Sequence, residues 1–302
     1  MIELSIVIAT YNRAQPLLRT LGSLARQTLD PALWEVVVVD NNCADDTAAR
    51  FARWAEAHPK VNARLTREPQ QGLSPARNRG VAESAGAYIA IIDDDEEVNP
   101  EFAESYFRFF RDYPGAAAAG GRIVPLYEYA PPAWLSPYTE RPIAGTLDLG
   151  PEARPFPARK FPGGGNMAVR RSALVRYGAF DPALGRTGAN PLAGEEKELF
   201  GRLRAGGEQV WYVPGAVIYH IIPESKFDPA YFDRLTRQSG VSERIRTQGI
   251  SRAAYLARLL AEAVKWGGTL ALAAGYALRG EAIKGRYLIR MRRNVTCGLL
   301  KG

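Results

Sequence analysis

Cysteine and histidine are scarce in this chain, two of each among 302 residues. Cys43 and Cys297 stand far apart and show neither disulfide nor metal spacing, which rules out a disulfide framework and suits a reducing compartment. The opening Met1-Ile2-Glu3-Leu4 lacks the basic start and small-residue cleavage site of a secretory leader, so the expected location is cytoplasmic. Neither G-x-G-x-x-G nor G-x-x-x-x-G-K-[ST] occurs, which disfavours dinucleotide and P-loop sites. The uncharged stretch Trp266 to Leu278 is too short to read as a span of a bilayer core. Excess charge is missing from most of the chain as well. The net charge is +7, and Arg279 to Gly302 alone carries +6, so basicity is a property of the tail. That distribution points away from nucleic acid as a partner.

What the chain does have is alternation. Apolar runs at Leu4 to Ala9, Trp34 to Val39 and Tyr88 to Ile92 read as buried strands. Helical patterns follow at Pro16 to Gln27, from Asp45 or Asp46 to about Ala57, at Ser74 to Ala85 and at Glu101 to Tyr113. A short strand fits Asn62 to Arg67. This order predicts an α/β fold with a mainly parallel sheet flanked by helices. From Pro125 to Pro162 prolines are frequent and periodicity is weak, the pattern of a functional loop. Strand-like runs follow at Gln209 to Val213 and Ala216 to Ile222, and from Asp228 onward the pattern is helical and basic. The expected division is a domain at 1–225 and a basic helical extension at 226–302.

Polar residues gather where the strands end. Asp93, Asp94 and Asp95 follow the third run directly, with Glu96 and Glu97 behind them. Carboxylates this close call for positive charge among them, and hard oxygens suit Mn²⁺ or Mg²⁺. A solvated acidic turn is the competing reading. The first strand runs into Thr10-Tyr11-Asn12-Arg13 and the second into Asp40, where a base or ribose is held in open α/β sheets and where a plain turn is equally natural. In Gly72-Leu73-Ser74-Pro75-Ala76-Arg77, Ser74 is expected to cap a helix. That leaves Arg77 in the helix's early turns, in need of an anionic neighbour such as a diphosphate or the Asp93 cluster. Gly163-Gly164-Gly165 allows close backbone approach or a hinge. Glu195 and Glu196 open a second acidic segment, either complementing a helix dipole or supplying a general base. His220 ends an apolar run and reads first as structural.

Together, in this order, these segments resemble the family 2 glycosyltransferases, whose fold is GT-A. The resemblance covers residues 3 to about 222. It implies inverting transfer of a sugar from a nucleotide-sugar donor, UDP- or GDP-linked, to a hydroxyl on a glycan or lipid-linked acceptor, in cell-surface polysaccharide or glycan assembly. Asp93-x-Asp95 matches the family's D-x-D, whose second Asp binds the metal, Mn²⁺ or Mg²⁺. Asp93 and Asp94 fall on the donor side with Thr10, Tyr11, Arg13, Asp40 and Arg77. Glu196 matches the family's base, although Glu replaces the usual Asp and leaves the choice between Glu195 and Glu196 open. His220 matches a metal ligand of some GT-A enzymes. A sugar-nucleotide pyrophosphorylase is disfavoured because Thr10 to Arg13 holds no glycine. A non-catalytic binding module would lack the acidic clusters, and both are present. The apolar stretch before the basic tail raises peripheral contact with anionic membrane, at the inner face of the plasma membrane.

Overall fold

The computed structural model describes residues 1–158, 160–187 and 194–301. The chain divides into two compact units. The first holds Met1–Val124, 147–187 and Glu195–Ile221, and the second holds Pro125–Thr146 and 222–301. The boundary expected at 225 thus falls a few residues earlier. Half of the proline-rich segment belongs with the C-terminal helices.

The first unit opens with β1 (Leu4–Thr10), α1 (Ala14–Leu24), β2 (Trp34–Asp40), α2 (Thr47–Ala57), β3 (Ala63–Arg67), α3 (Leu73–Glu83) and β4 (Tyr88–Asp93). It continues through β5 (Glu96–Val98), α4 (Phe102–Asp112) and β6 (Ala116–Tyr127). In the chain α5 (Pro137–Ala144), β7 (Arg154–Pro155), β8 (Met167–Arg170), α6 (Arg171–Tyr177), α7 (Glu195–Ala205) and β9 (Gln209–Ile222) follow. The sheet order is β3-β2-β1-β4-β8-β6-β9-β5, with β7 also on β9. The pairs β3–β2, β2–β1 and β1–β4 are parallel. The parallel sheet read from the sequence is therefore this half. Beyond it β8 pairs antiparallel with β4 and β6, and β9 pairs antiparallel with β5 and β7.

Strands β1, β2 and β4 are mostly apolar and almost wholly buried, with Ser5 and Glu35 the polar exceptions inside the runs. Helix α3 lies so close to β1 that a Cβ on Gly80 would sit 2.2 Å from Val7 Cγ1. Register then decides what meets at the sheet's edge. Thr10 pairs with Asp40, and Ala9 pairs with Asp93, so three strand tips end together. The two runs expected around Pro214-Gly215 form one strand. Asn99 holds the break closed, donating from Nδ2 to the Gly215 carbonyl (3.1 Å) and accepting from Val217 N (3.0 Å).

Two expectations change. Helix α3 begins at Leu73 with Gly72 at its N-cap, and Ser74 instead donates to the Leu184 carbonyl at 2.6 Å. The segment 125–162 is not a bare loop. It carries α5, begun by a capping box between Ser136 and Thr139 and ended by Gly145 in the left-handed region.

In the second unit, α5 joins α8 (Pro229–Ile250), α9 (Arg252–Leu278) and α10 (Ala282–Lys301). Trp134 stacks on Tyr287 at 4.3 Å and lies 5.2 Å from Phe232, giving this unit its own core. Helices α8 and α10 touch backbone to backbone, since a Cβ on Gly240 would fall 2.1 Å from the Val295 carbonyl oxygen. Asp233 fixes their register by accepting two bonds from Arg290 and one from Asn294, each 2.7 Å. An open groove of about 560 Å³ lies between Tyr127, Pro132, Leu135, Glu140, Ile283 and Lys284.

One buried carboxylate ties the entry of β1 to that of β4. Glu35 accepts from Ser5 Oγ, Arg64 Nη1 and Ala85 N, each at 2.6 Å. Burial opposes its charge, but the bonds from Arg64, Ala85 and Ser5 outweigh that and hold its pKa below the ordinary 4.5. Its stabilising contribution is therefore present above pH about 4.5 and is lost as pH falls through the lower folded value. Glu35→Gln should lower the free energy of unfolding at pH 7 by about 2–4 kcal/mol. The gap between the two proteins should narrow in acid. Urea titrations at several pH values check this, and a pH-independent gap would count against the carboxylate's charge as the cause.

Candidate active site

The strand tips bring most of the expected residues into one place in the first unit. Thr10 at the end of β1 is buried, and its hydroxyl donates to Asp94 Oδ2 at 2.7 Å. Tyr11 just beyond it is 45% exposed. Asn12 holds a left-handed φ of 53°, a conformation its short amide side chain tolerates. Its Oδ1 accepts from Ala44 N at 2.6 Å, so the β1 and β2 loops are locked to each other. Asp40 at the tip of β2 accepts from Cys43 N at 2.6 Å, as a turn former does. It makes no bond to the three Asp carboxylates.

The positive charge required among these three is present in the protein itself. Arg13, about half exposed, reaches Asp94 Oδ1 at 3.0 Å and Asp95 Oδ2 at 2.9 Å. Asp93 is met by Arg77 at 2.9 Å. His220 on β9 stands opposite Glu96 in the β5 register, with Nε2 3.7 Å from Asp95 Oδ2. Burial, together with Asp95 and Asp93, pushes the pKa of Asp94 up to about 7 against the pull of Arg13. Glu96 lies beneath the cluster and accepts from Asp93 N at 2.9 Å. Burial and the charges of Asp93 and Asp95 raise its pKa well above the usual carboxylate range. Glu96 thus forms a floor under the rim whose ionisation is opposed by its surroundings.

Arg77 is 1% exposed, and its terminal nitrogens are engaged on three sides. Nη1 donates to Glu195 Oε1 at 2.7 Å, while Nη2 donates to Asp93 Oδ1 and to the Gly164 carbonyl, each at 2.9 Å. The anionic neighbour it needed is therefore the Asp93 cluster together with Glu195. Glu195 is buried by this pairing at the start of α7. Glu196 is partly exposed, with its carboxyl carbon 3.9 Å from where a Cβ on Gly164 would stand. Desolvation, and the neighbouring Glu195 charge, push the pKa of Glu196 up to about 7.

Two of the three glycines serve close approach. A Cβ on Gly165 would fall 2.0 Å from Glu96 Oε1, and one on Gly163 would fall 2.4 Å from Ile123 Cδ1. Asn166, which ends the turn, is fully buried and was given no role in the sequence reading. Its Oδ1 accepts from Tyr106 O–H at 2.6 Å, and its Nδ2 donates to the carbonyls of Arg122 and Ala216, each at 2.9 Å. Asn41 was missed in the same way. It binds the carbonyls of Glu68 and Gln70 and accepts from Gly72 N at 2.8 Å, shaping the approach to α3. Only its place directly after a strand-tip Asp could have marked it.

Among the described residues no group of three His, Cys, Asp or Glu is arranged to hold a metal by itself. The donor chemistry still fits a divalent cation. Asp95 offers a carboxylate and His220 an imidazole at one point, with Asp93 at the rim. Mg²⁺ and Mn²⁺ commonly take one or two protein ligands and complete their shell with phosphate oxygens and water.

Residues 5–178 match the family described as Glycosyl transferase family 2, and the chain belongs to that family. It is a glycosyltransferase with the GT-A fold. A glucosyl-dolichyl phosphate glucuronosyltransferase of Haloferax volcanii is 27% identical over 258 residues, which cover 80% of this chain and 77% of that protein. The succinoglycan biosynthesis protein ExoM of Rhizobium meliloti is 25% identical over 246 residues, 79% of this chain and 73% of that one. Among solved structures, a mannosyltransferase of Pyrobaculum calidifontis in complex with GDP-Man and Mn²⁺ superposes with a TM-score of 0.60 at 17% identity. The superposition covers 97% of this chain and 87% of that one. Family membership displaces the pyrophosphorylase and binding-module readings.

The guanidinium of Arg77 is the strut of the site, and its fork geometry matters as much as its charge. Arg77→Lys should cost about 3–5 kcal/mol of stability, because one ammonium cannot bridge two carboxylates and a carbonyl. Chemical denaturation measures this. An unchanged unfolding midpoint would show that the fork is dispensable.

Proposed function

We propose that the protein transfers a sugar from a nucleoside-diphosphate sugar, UDP- or GDP-linked, to a hydroxyl acceptor with inversion at the anomeric carbon. The observation carrying this reading is the separation of two kinds of carboxylate. Asp93, Asp94 and Asp95 are held charge-paired or buried at the strand tips, while Glu196 stands beside them with a pKa near neutrality.

In this reading Tyr11 offers an exposed ring to the nucleotide base, and Asp40 at the neighbouring tip faces the base or ribose. The diphosphate lies over Asp95 and Arg13. Asp95 and His220, with Asp93, hold Mn²⁺ or Mg²⁺. When bound, the cation neutralises the charge that grows on the leaving diphosphate. Arg13 adds fixed positive charge at the same rim. Glu196 accepts the acceptor hydroxyl's proton. The freed oxygen attacks the anomeric carbon, and the bond from that carbon to the diphosphate oxygen breaks, releasing the nucleoside diphosphate. Glu195 is held in place by Arg77, and its charge beside Glu196 raises the basicity of Glu196. The Gly163–Gly165 turn carries the end of the proline-rich segment up to Arg77 and Glu196, which supports reading the segment 125–162 as covering the acceptor side. The names of the two relatives support a lipid-linked or glycan acceptor and a role in cell-surface polysaccharide or glycan assembly.

Two measurements test this. Thermal shifts with UDP and GDP should show nucleotide binding that strengthens with Mn²⁺, and Asp95→Asn should remove only the metal-dependent part. Equal binding with and without metal in both proteins would refute a metal at Asp95.

Glu196→Gln should lower kcat at least about a hundredfold with donor KM kept. In the wild type, kcat/KM should rise with pH and level off above about 7, because only the ionised Glu196 accepts a proton. If Glu195→Gln is the inactive protein and Glu196→Gln turns over, the two roles are exchanged.

A further inference from the structure

Helix α9 is built the wrong way round for a helix in water. Its 27 residues show polar groups to α8 and α10 and apolar groups outward. On the inner side Glu262 is 3% exposed, yet it keeps its charge. Burial opposes that charge, but hydrogen bonds from Arg258 (2.8 Å) and Arg292 (3.0 Å) hold its pKa below the usual value. Arg258 also reaches Glu243 of α8 at 3.6 Å. Arg292 and Thr296 of α10 join Thr269 and Trp266 of α9 in the same network. On the outer side Leu256, Leu260, Val264, Ala271 and Leu278 recur at helical spacing, all exposed. Val264 is 78% exposed and Leu278 90%. From Gly267 to Leu278 every exposed residue is Ala, Gly or Leu.

A 27-residue helix is about 40 Å long, so this stripe amounts to roughly 400 Å² of continuous apolar surface, comparable to the largest patch on an ordinary soluble monomer. Its length and composition do not make it a membrane span. Among the described residues no helix is long and apolar enough to cross a bilayer, and the charged inner side of α9 would bar it in any case. What remains is a surface on which an apolar phase lies.

Charge selects the occupant. From Ile222 to Gly302 there are 15 Lys or Arg against 6 Asp or Glu. Arg252 and Arg279 stand exposed at the two ends of the apolar stripe. Arg234 and Arg237 on α8, with Arg286 and Arg293 on α10, are exposed too. A second copy of this unit would bring the same excess positive charge against itself. An anionic lipid surface supplies the opposite sign together with the apolar layer.

We infer that α9 lies in the plane of an anionic membrane surface, with Leu256, Leu260, Val264 and Leu278 inserted at the headgroup boundary and the flanking basic residues against the lipid phosphates. This inference does not depend on the proposed transfer reaction, since lipid binding is read without turnover.

Flotation of the full chain with vesicles of phosphatidylcholine alone, or with phosphatidylglycerol added, provides the test. Binding to the anionic vesicles should be at least about tenfold stronger than to neutral ones, and should fall as salt is raised from about 0.1 M to 0.5 M. The double substitution Leu260→Glu/Val264→Glu changes two exposed positions and should abolish flotation while leaving the circular dichroism melting curve in place. Absence of flotation with either vesicle overturns the inference, whether or not the variant folds. So does a folded variant that floats like the wild type, or sedimentation showing a dimer that the same substitutions dissociate.

Discussion

One buried cation organises the catalytic unit. Taking the Arg77 guanidinium out of water costs several kcal/mol, and the partners of its two terminal nitrogens offset that cost. Those partners come from far along the chain: Asp93 at the tip of β4, the carbonyl of Gly164 and Glu195 at the start of α7. Each is therefore fixed relative to the others through a single planar group. The separation between the strand-tip Asp cluster and the helix that carries Glu196 is set by this fork. It does not depend on the loops that connect those segments. Arg13 plays a related part at the rim, but it is half exposed and its two carboxylates lie on one turn. Arg77 is thus a permanent strut, whereas Arg13 is a charge that a ligand can share.

The glycine turn follows from the same constraint. With Glu96 directly under Gly165, no Cβ fits there, and the neighbouring Gly164 brings its backbone carbonyl to the guanidinium. Glu96 remains below as a carboxyl whose ionisation is suppressed by burial and by the charges of Asp93 and Asp95. The layering lets a dense acidic segment exist at a strand end without full repulsion. One member has its ionisation opposed by burial and its neighbours, one shares Arg77, and two share Arg13.

Much of this was legible in the sequence because it depends on local pattern. Continuous apolar runs marked β1, β2 and β4, and the polar residues following them marked the edge at which ligands bind in such sheets. Resemblance to a family brought Glu195, Glu196 and His220 to the same site. The antiparallel half of the sheet was not legible. Its strands β5, β7 and β8 are two to four residues long, and their pairing is set by long-range register rather than by period. Helix α5 was hidden by prolines that a capping box accommodates. The role of Arg77 was read from its charge, which suggests a phosphate, while its burial depends on contacts that no local window contains. Asn41 and Asn166 act by satisfying backbone groups, and nothing about an isolated Asn announces that.

The two units solve opposite problems with the same residue types. In the first, apolar side chains are enclosed and charge is kept at the edge of the sheet where a polar ligand arrives. In the second, α9 encloses Glu262, Arg258 and Thr269 and leaves Leu and Val outside. An enclosed charged network is stable only when fully satisfied, and here Glu262 is met by two guanidinium groups and a hydroxyl. A helix free to choose its facing in water would turn its leucines inward and its charges out. That α9 is held the other way, by Glu243 from α8 and by Arg292 and Thr296 from α10, makes its outward apolar stripe a feature specified by the packing. Exposed apolar surface specified at this cost implies an apolar phase as its working environment.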